Sequence, residues 1–463
     1  MDLKRSAVEI IAIDTPSLGD RSYLVHDGEH AVVIDPQRDI DRMTDVVAAH
    51  GLPITHVLET HIHNDYITGG FTLAQQTGAT YAVNAADQVA YQRLPVRDGD
   101  VLEVGPRMQV RVLATPGHTF THLAYVLAVD GRATAVFTGG SLLYGSTGRP
   151  DLLGARHAET LARHQYVSAR RLVAELPAET HVYPTHGFGS FCAATQAQGP
   201  SSTLATEARV NPALTQAEEE YVAGLLAGLD AYPAYYAHMG PANAAGPGPV
   251  DLTPPHTADP VELRRRVKGG EWVVDLRHRT AFAAGHLPGT LNFALHDSFV
   301  TYLGWLIPWG TRVTLLGETA ADVAAAQRDL VRIGIDRPAA AATGKPEDWA
   351  GGQDLDSFPT ATFDALAALI NGHHEHPVVL DVRRNDERRH SYVDGTVHIP
   401  IHELPARLAE VPGDRQVWVH CASGYRAAIA ASLLHRAGRD VVAIDDEYIA
   451  AHTAGLPIVV QAA

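Results

Sequence analysis

Apolar residues in this chain come in short runs that stop abruptly at polar residues, often beside glycine, and Ala/Arg/Leu-rich stretches separate the runs. The runs at residues 54–58, 110–114, 181–183, 271–276, 312–316, 378–382 and 417–419 have the length and Val/Ile/Leu content of buried strands. Residues 320–333, 363–370 and 426–435 read as helices. Strand and helix in alternation predict an α/β protein. The segment 239–260, with Pro-Ala-Asn-Ala-Ala-Gly-Pro-Gly-Pro at its centre, neither adds to a core nor continues an element, so it reads as a linker. A softer boundary falls at residues 351–359. A chain of 463 residues exceeds what one core organises. The expected division is therefore a domain at 1–240, a linker at 241–260, and domains at 261–357 and 358–463.

Three of the runs end in histidine. The first leads into Thr60-His61-Ile62-His63-Asn64-Asp65-Tyr66, the second into Pro116-Gly117-His118, and the third into Pro184-Thr185-His186-Gly187. Alternate residues of an extended strand share a face, so His61 and His63 point the same way and form a chelating pair. Ligands converging from separate strand ends are how metal shells are assembled, and His61, His63, Asp65, His118 and His186 are the candidates. Among 26 histidines, His56, His122 and His181 lie near these motifs without fitting them and read as structural.

These residues resemble the metallo-β-lactamase fold family, in the branch of glyoxalase II and the persulfide dioxygenases. Its first motif, HxHxDH, stands here with Tyr66 in place of the last histidine. Phe137-Thr138-Gly139-Gly140-Ser141-Leu142-Leu143 looks like its FTGDxLL segment with Gly140 at the aspartate ligand, and Gly148-Arg149-Pro150-Asp151 is similar to the GRTD of the dioxygenase branch. The resemblance implies an αββα sandwich, while Tyr66 and Gly140 argue against a two-metal hydrolase. In the dioxygenase branch one iron is held by two histidines and a carboxylate, which implies His61 and His118 with Gly140 at the carboxylate position. Three outcomes stay open: His63 or Asp65 completes a rearranged site, water fills the gap, or the domain is metal-free. Fe(II) is the ion the resemblance favours; a His61, His63 and His118 set would also suit Zn(II). Gly140→Asp is then expected to tighten iron binding.

Near the other end, Val417-Trp418-Val419 feeds His420-Cys421-Ala422-Ser423-Gly424-Tyr425-Arg426. Amides of such a loop, the first turn of the following helix and the guanidinium face one spot, which makes Cys421 a candidate nucleophile with a depressed pKa. Ala422, Ser423, Gly424 and Tyr425 would line the anion cradle, with Arg426 completing it. This resembles the active-site loop of rhodanese sulfurtransferases, and Asp381-Val382-Arg383 and Gly395-Thr396-Val397-His398-Ile399-Pro400 match supporting segments of that family. Asp275-Leu276-Arg277 and Gly285-His286-Leu287-Pro288-Gly289 repeat the same signatures, but Gly317-Glu318-Thr319 stands where a cysteine would be. The resemblance therefore implies two rhodanese-like α/β domains with parallel sheets, the first without catalytic function.

A net charge of −17 disfavours nucleic acid and anionic membranes as partners. No apolar stretch has membrane-span length, and residues 1–10 show no signal-peptide pattern. Two cysteines do not make a disulfide scaffold; Cys192 reads as structural, and a working thiolate at Cys421 suits the cytoplasm. The combined resemblance implies a sulfur-metabolism enzyme acting on small thiols and persulfides, glutathione or another low-molecular-weight thiol, and on thiosulfate, with a homodimer admissible. The alternatives are a mononuclear zinc hydrolase of a thioester or ester, and a metal-free scaffold in which only the rhodanese domain is active.

Overall fold

The computed structural model of the protein describes residues 7–197, 199–372 and 377–460. Most of the N-terminal segment read as lacking a signal peptide, residues 1–6, lies outside them. Two compact units form, Met1–Val250 with Val331–Gly334, and Asp251–Leu330 with Ile335–Ala463.

The first unit is built on two six-stranded sheets. One runs in the order Glu9–Thr15, Asp20–His26, Ala31–Ile34, Ile54–Leu58, Thr80–Asn84, Leu94–Val96, antiparallel at its start and parallel from Ala31 onward. The other runs Ser202–Thr203, His181–Pro184, Arg132–Gly139, Leu123–Val129, Met108–Ala114, Val101–Glu103, with one parallel pair between Arg132–Gly139 and His181–Pro184. Tyr23, Val25, Leu58, Val110, Leu123, Tyr125 and Phe137 pack between the sheets. Met43, Val47 and Leu73 of helices Asp41–His50 and Gly70–Thr77 cover the first sheet, and Ala162, Ala169 and Leu172 of helix Ala158–Glu175 cover the second. Buried on both faces, the strands read as continuous apolar runs rather than alternating ones, and the layers are helix, sheet, sheet, helix.

The second unit holds the same module twice. Parallel strands follow the order Leu291–Asn292, Trp272–Asp275, Val313–Gly317, Ala340–Thr343 in the first sheet. The second repeats it as Val397–His398, Val378–Asp381, Val417–His420, Val441–Ile444, with Thr360–Ala361 added at the edge. Each module closes its first strand alike: Asp275 accepts from the backbone N–H and Nε of Arg277, both at 3.0 Å, and Asp381 from the same groups of Arg383, both at 3.0 Å. Among the described residues no helix is long and apolar enough to cross a membrane.

Part of the stretch read as linker is helical. Helix Tyr236–Ala245 carries the first unit through Pro241, Asn243 and Ala245, and the extended connection begins at Gly246, whose φ of 86° ends the helix. Pro241 inside the helix is what makes that stretch read as loop.

Asp381 is fully buried and also accepts from Arg388 at 3.2 Å. Burial favours its neutral form, yet His420 and Arg383 hold the carboxyl below its ordinary range. A carboxyl shifted down on folding contributes stability that is complete above its unfolded value of 3.8 and is lost as pH falls through the folded value. Asp381→Asn should therefore cost about 3 kcal/mol or more at neutral pH, because it leaves buried guanidinium charge uncompensated. It should also flatten the decline of stability below about pH 4. Denaturant titrations across pH would contradict this with a neutral-pH loss under about 1 kcal/mol.

Candidate functional site

Asp35 follows the strand Ala31–Ile34 directly and sits fully buried in the left-handed region, at a φ of 49°. Aspartate tolerates that conformation better than most side chains. Its carboxylate accepts from the Thr60 backbone N–H at 2.7 Å, the Thr60 hydroxyl at 2.7 Å and the Thr185 hydroxyl at 2.5 Å, and it lies 3.3 Å from His63 Nε2. One carboxylate thus ties the strand ends that lead to His61 and to His186. Burial opposes its charge, but His63 and these donors hold Asp35 ionised.

The hydrogen bonds settle which ring nitrogens face inward. Thr60 spends its hydroxyl proton on Asp35, so at 2.9 Å from His61 Nδ1 it accepts; His61 carries its proton on Nδ1 and bares Nε2. His118 Nδ1 donates to the Arg149 carbonyl at 2.8 Å, and its buried Nε2 has no hydrogen-bond partner. His186 Nδ1 donates to Asp20 at 2.9 Å with Asp65 at 3.2 Å, which turns its Nε2 to within 3.4 Å of His61 Nε2. His61, His118 and His186 each offer a nitrogen within 4.8 Å of the others, and all three side chains are buried. Backbone, hydroxyl and carboxylate oxygens behind each Nδ1 are the support that metal-binding imidazoles use.

Charge follows from the same geometry. Burial, then His186, pushes His118 down to about 3, and burial with its neighbouring imidazoles sends His61 well below its ordinary value. Burial works against His186 too, but Asp65 and Asp20 push it up to about 10. Two bare nitrogens at 3.4 Å would repel, and the proton kept on His186 joins them; a cation would serve in its place.

His63 and Asp65 take other positions. His63 Nε2 faces Asp35 and Glu59, each at 3.3 Å, and the Tyr66 hydroxyl at 3.0 Å, while its buried Nδ1 is unpartnered. Burial opposes its charge, and Asp35 with Glu59 pushes His63 up to about 9. Asp65 stands behind His186, which holds it ionised against the opposing effect of burial. Tyr66 stacks on His63 with centroids 4.4 Å apart. His122, read as structural, is buried beneath His61 at 4.9 Å and accepts the Gly140 N–H at 3.0 Å. Cys192 is buried, and burial pushes its thiol well up.

The His118 ring stands beside Gly140, the position matched to the aspartate ligand. A Cβ there would lie 2.4 Å from His118 Cδ2, and one at Gly148 would lie 2.7 Å from His118 Nδ1, so the two glycines cradle the imidazole. Of the five candidates His61, His63, Asp65, His118 and His186, the nitrogens of His61, His118 and His186 come together, and His63 and Asp65 form a second group with His186.

Sequence reasoning missed Asp20, Asp35 and Asn243. Asn243 is fully buried; its amide donates to the carbonyls of His63 at 2.9 Å and Tyr66 at 2.8 Å and accepts from the Thr68 N–H at 2.9 Å. It clamps the His61–Tyr66 loop from a stretch that reads as linker. Asp35 carried a usable signal, an apolar run ending in a lone acidic residue.

In the second unit, Cys421 ends the strand Val417–His420 and is buried, before helix Tyr425–Arg436. Gly424 caps that helix at a φ of 88°, and a Cβ there would meet Asp445 Oδ1 at 2.3 Å. The first-turn N–H groups have no acceptors within the helix. Arg426 donates to Glu387 through Nη1 at 2.5 Å and Nη2 at 2.7 Å; burial opposes its charge, but Glu387 holds it protonated. The first module contributes as well: Tyr302 of helix Phe299–Leu306 is near enough to Arg426, Arg384, Glu387 and Cys421 to interact electrostatically with each. His296 lies 3.9 Å from the Tyr425 ring, and Arg279 bonds Asp445 at 2.5 Å and the Ser423 carbonyl at 3.4 Å. Ala422 accepts from the Tyr448 N–H at 2.8 Å.

Residues 20–186 match the profile of the metallo-beta-lactamase superfamily, and residues 362–449 that of the rhodanese-like domain. Human mitochondrial persulfide dioxygenase ETHE1 is 31% identical over 204 residues, 43% of this chain and 74% of that protein. The hydroxyacylglutathione hydrolase of Maricaulis maris is 33% identical over 189 residues, 39% of this chain and 67% of that protein. That of Methylobacillus flagellatus is 34% identical over 167 residues, and the chain spans 61% of its length. Among solved structures, a metallo-beta-lactamase from Staphylococcus aureus superposes with a TM-score of 0.65 at 28% identity, covering 73% of this chain and all of that one.

Asn243→Ala should lower stability by about 1–3 kcal/mol, since it strands two buried carbonyls and an N–H, and should weaken metal retention. Equal melting and equal metal content would contradict the clamp. Gly140→Asp should lower metal content, because its side chain displaces His118; elemental analysis showing a gain would restore the opposite view.

Proposed function

The chain belongs to the metallo-beta-lactamase superfamily and carries a rhodanese-like domain behind that fold, and from this premise we propose a sulfur-handling enzyme whose C-terminal module transfers sulfane sulfur through Cys421. The observation that supports the reading is the order of strand Val417–His420, Cys421 and helix Tyr425–Arg436, with Arg426 fixed by two bonds to Glu387.

The chemistry follows from those parts. The Cys421 thiolate attacks the outer sulfur of thiosulfate; the donor S–S bond breaks, sulfite leaves with the bonding pair, and a Cys421 persulfide remains. First-turn amides and Arg426 balance the anionic charge of donor and persulfide. A small thiolate then attacks the terminal sulfur, leaves as a persulfide, and returns Cys421 as thiolate. Glu387 is a positioning residue: it holds the guanidinium through two bonds.

In the N-terminal domain the donors fit one metal ion, because His118 Nε2 is buried and unpartnered and His61 Nε2 is bare beside His186. His61, His118 and His186 would hold it, with Asp20, Asp65 and the Arg149 carbonyl orienting the rings. Fe(II) there would supply oxygen chemistry toward a persulfide, and Zn(II) would supply hydrolysis of a thioester or ester. Likeness to persulfide dioxygenase supports the first. The all-nitrogen trio, with His118 filling the space beside Gly140, favours zinc as a second reading.

Cys421→Ser should abolish thiosulfate-to-cyanide transfer while leaving metal content unchanged; residual transfer at the wild-type rate would reject the assignment. Arg426→Lys should lower kcat/KM roughly 10- to 100-fold, as a point charge replaces a planar fork. For the N-terminal domain, elemental analysis is paired with an oxygen-electrode trace on glutathione persulfide. Iron with oxygen uptake supports the dioxygenase reading, and zinc without uptake supports the hydrolase.

A further inference from the structure

We propose that His286, Asp356 and His435 form a second metal site, for a zinc-class divalent ion, that clips the two rhodanese-like modules together. It belongs to the second compact unit and shares no residue with the histidine trio or the Cys421 loop.

Two of the ligands are pinned by backbone. His286 and Asp356 exchange both of their main-chain hydrogen bonds, N–H to carbonyl at 2.9 Å in each direction, as an isolated antiparallel bridge. Residues paired this way stand directly opposite and project to the same side. The His286 ring is also fixed: Nδ1 donates to the Phe282 carbonyl at 2.9 Å, and the ring stacks on Phe282 with centroids 3.9 Å apart and planes 11° from parallel. Nε2 is therefore the lone-pair nitrogen.

His435 arrives from the other module, in the last turn of helix Tyr425–Arg436. Its Nε2 lies 2.9 Å from Asp356 Oδ2, yet this buried nitrogen lacks a hydrogen bond of acceptable geometry. Close approach without alignment is what two ligands of one ion show, since both lone pairs aim at a third point rather than at each other. Phe358 packs against both imidazoles, at 5.7 Å and 5.5 Å, and the rings lie 5.5 Å apart. The ligand atoms all fall within 4.8 Å of one another. Two imidazoles and one carboxylate, with water in the fourth position, suit zinc. The clip would hold the helix that begins at the Cys421 loop against the module that supplies Tyr302.

The test is zinc titration of the full-length, metal-stripped chain against a chromophoric chelator. Wild type should hold one equivalent more than His435→Gln or Asp356→Asn, whatever the histidine trio binds, and His118→Gln should keep that equivalent. Added zinc should raise the melting temperature of wild type, and this rise should shrink in both variants. Variants with wild-type circular dichroism that keep every equivalent would overturn the proposal. If neither variant folds, zinc-edge anomalous scattering from wild-type crystals decides: a peak among the three side chains supports the site, and none at saturating zinc rejects it.

Discussion

A single buried carboxylate, Asp35, sets the geometry of the N-terminal domain. It takes a backbone N–H and a hydroxyl from Thr60, a hydroxyl from Thr185 and the charge of His63, and so fixes two strand ends of different sheets against each other. Leaving such donors unpaired in the interior would cost about 1–3 kcal/mol each, so the arrangement is held as a network. Its chemical consequence is directional. With the Thr60 proton committed to Asp35, His61 must protonate Nδ1 and present Nε2, and the strand end carrying Thr185 delivers His186 beside it.

The second unit uses repetition differently. Both modules end a strand in the same Asp–Arg pair and follow the same strand order, yet only the second places a thiol at the strand end. The first meets that position with Gly317 and Glu318 and contributes Tyr302, His296 and Arg279 around the loop of the second. The first module therefore packs side chains around the loop of the second.

Much of this was legible in the sequence, and the reasons are local. Apolar runs that lead into His61, His118, His186 and Cys421 announce strands, and the order at 417–435 announces a strand, a small-residue loop and a helix. What stayed hidden depends on distant pairing. Asn243 meets the His63 carbonyl across 180 positions, and Asp20 meets His186 across 166; neither leaves a periodic trace. Pro241 and the glycines after it disguise a helix as linker. Sequence also cannot show that the His118 imidazole occupies the space beside Gly140. That His63 turns its Nε2 to Asp35 and Glu59 was hidden for a related reason: both lie outside its motif.

The central claim is that the ion pocket of the N-terminal domain is an all-imidazole site made by His61, His118 and His186. Crystals of the metal-loaded protein, measured at the absorption edge of the bound ion, test it most directly. The account predicts an anomalous peak contacted by Nε2 of those three histidines, with His63 still turned to Asp35. A peak bound by His63 or Asp65 in place of His186, or an empty pocket at full loading, would contradict it.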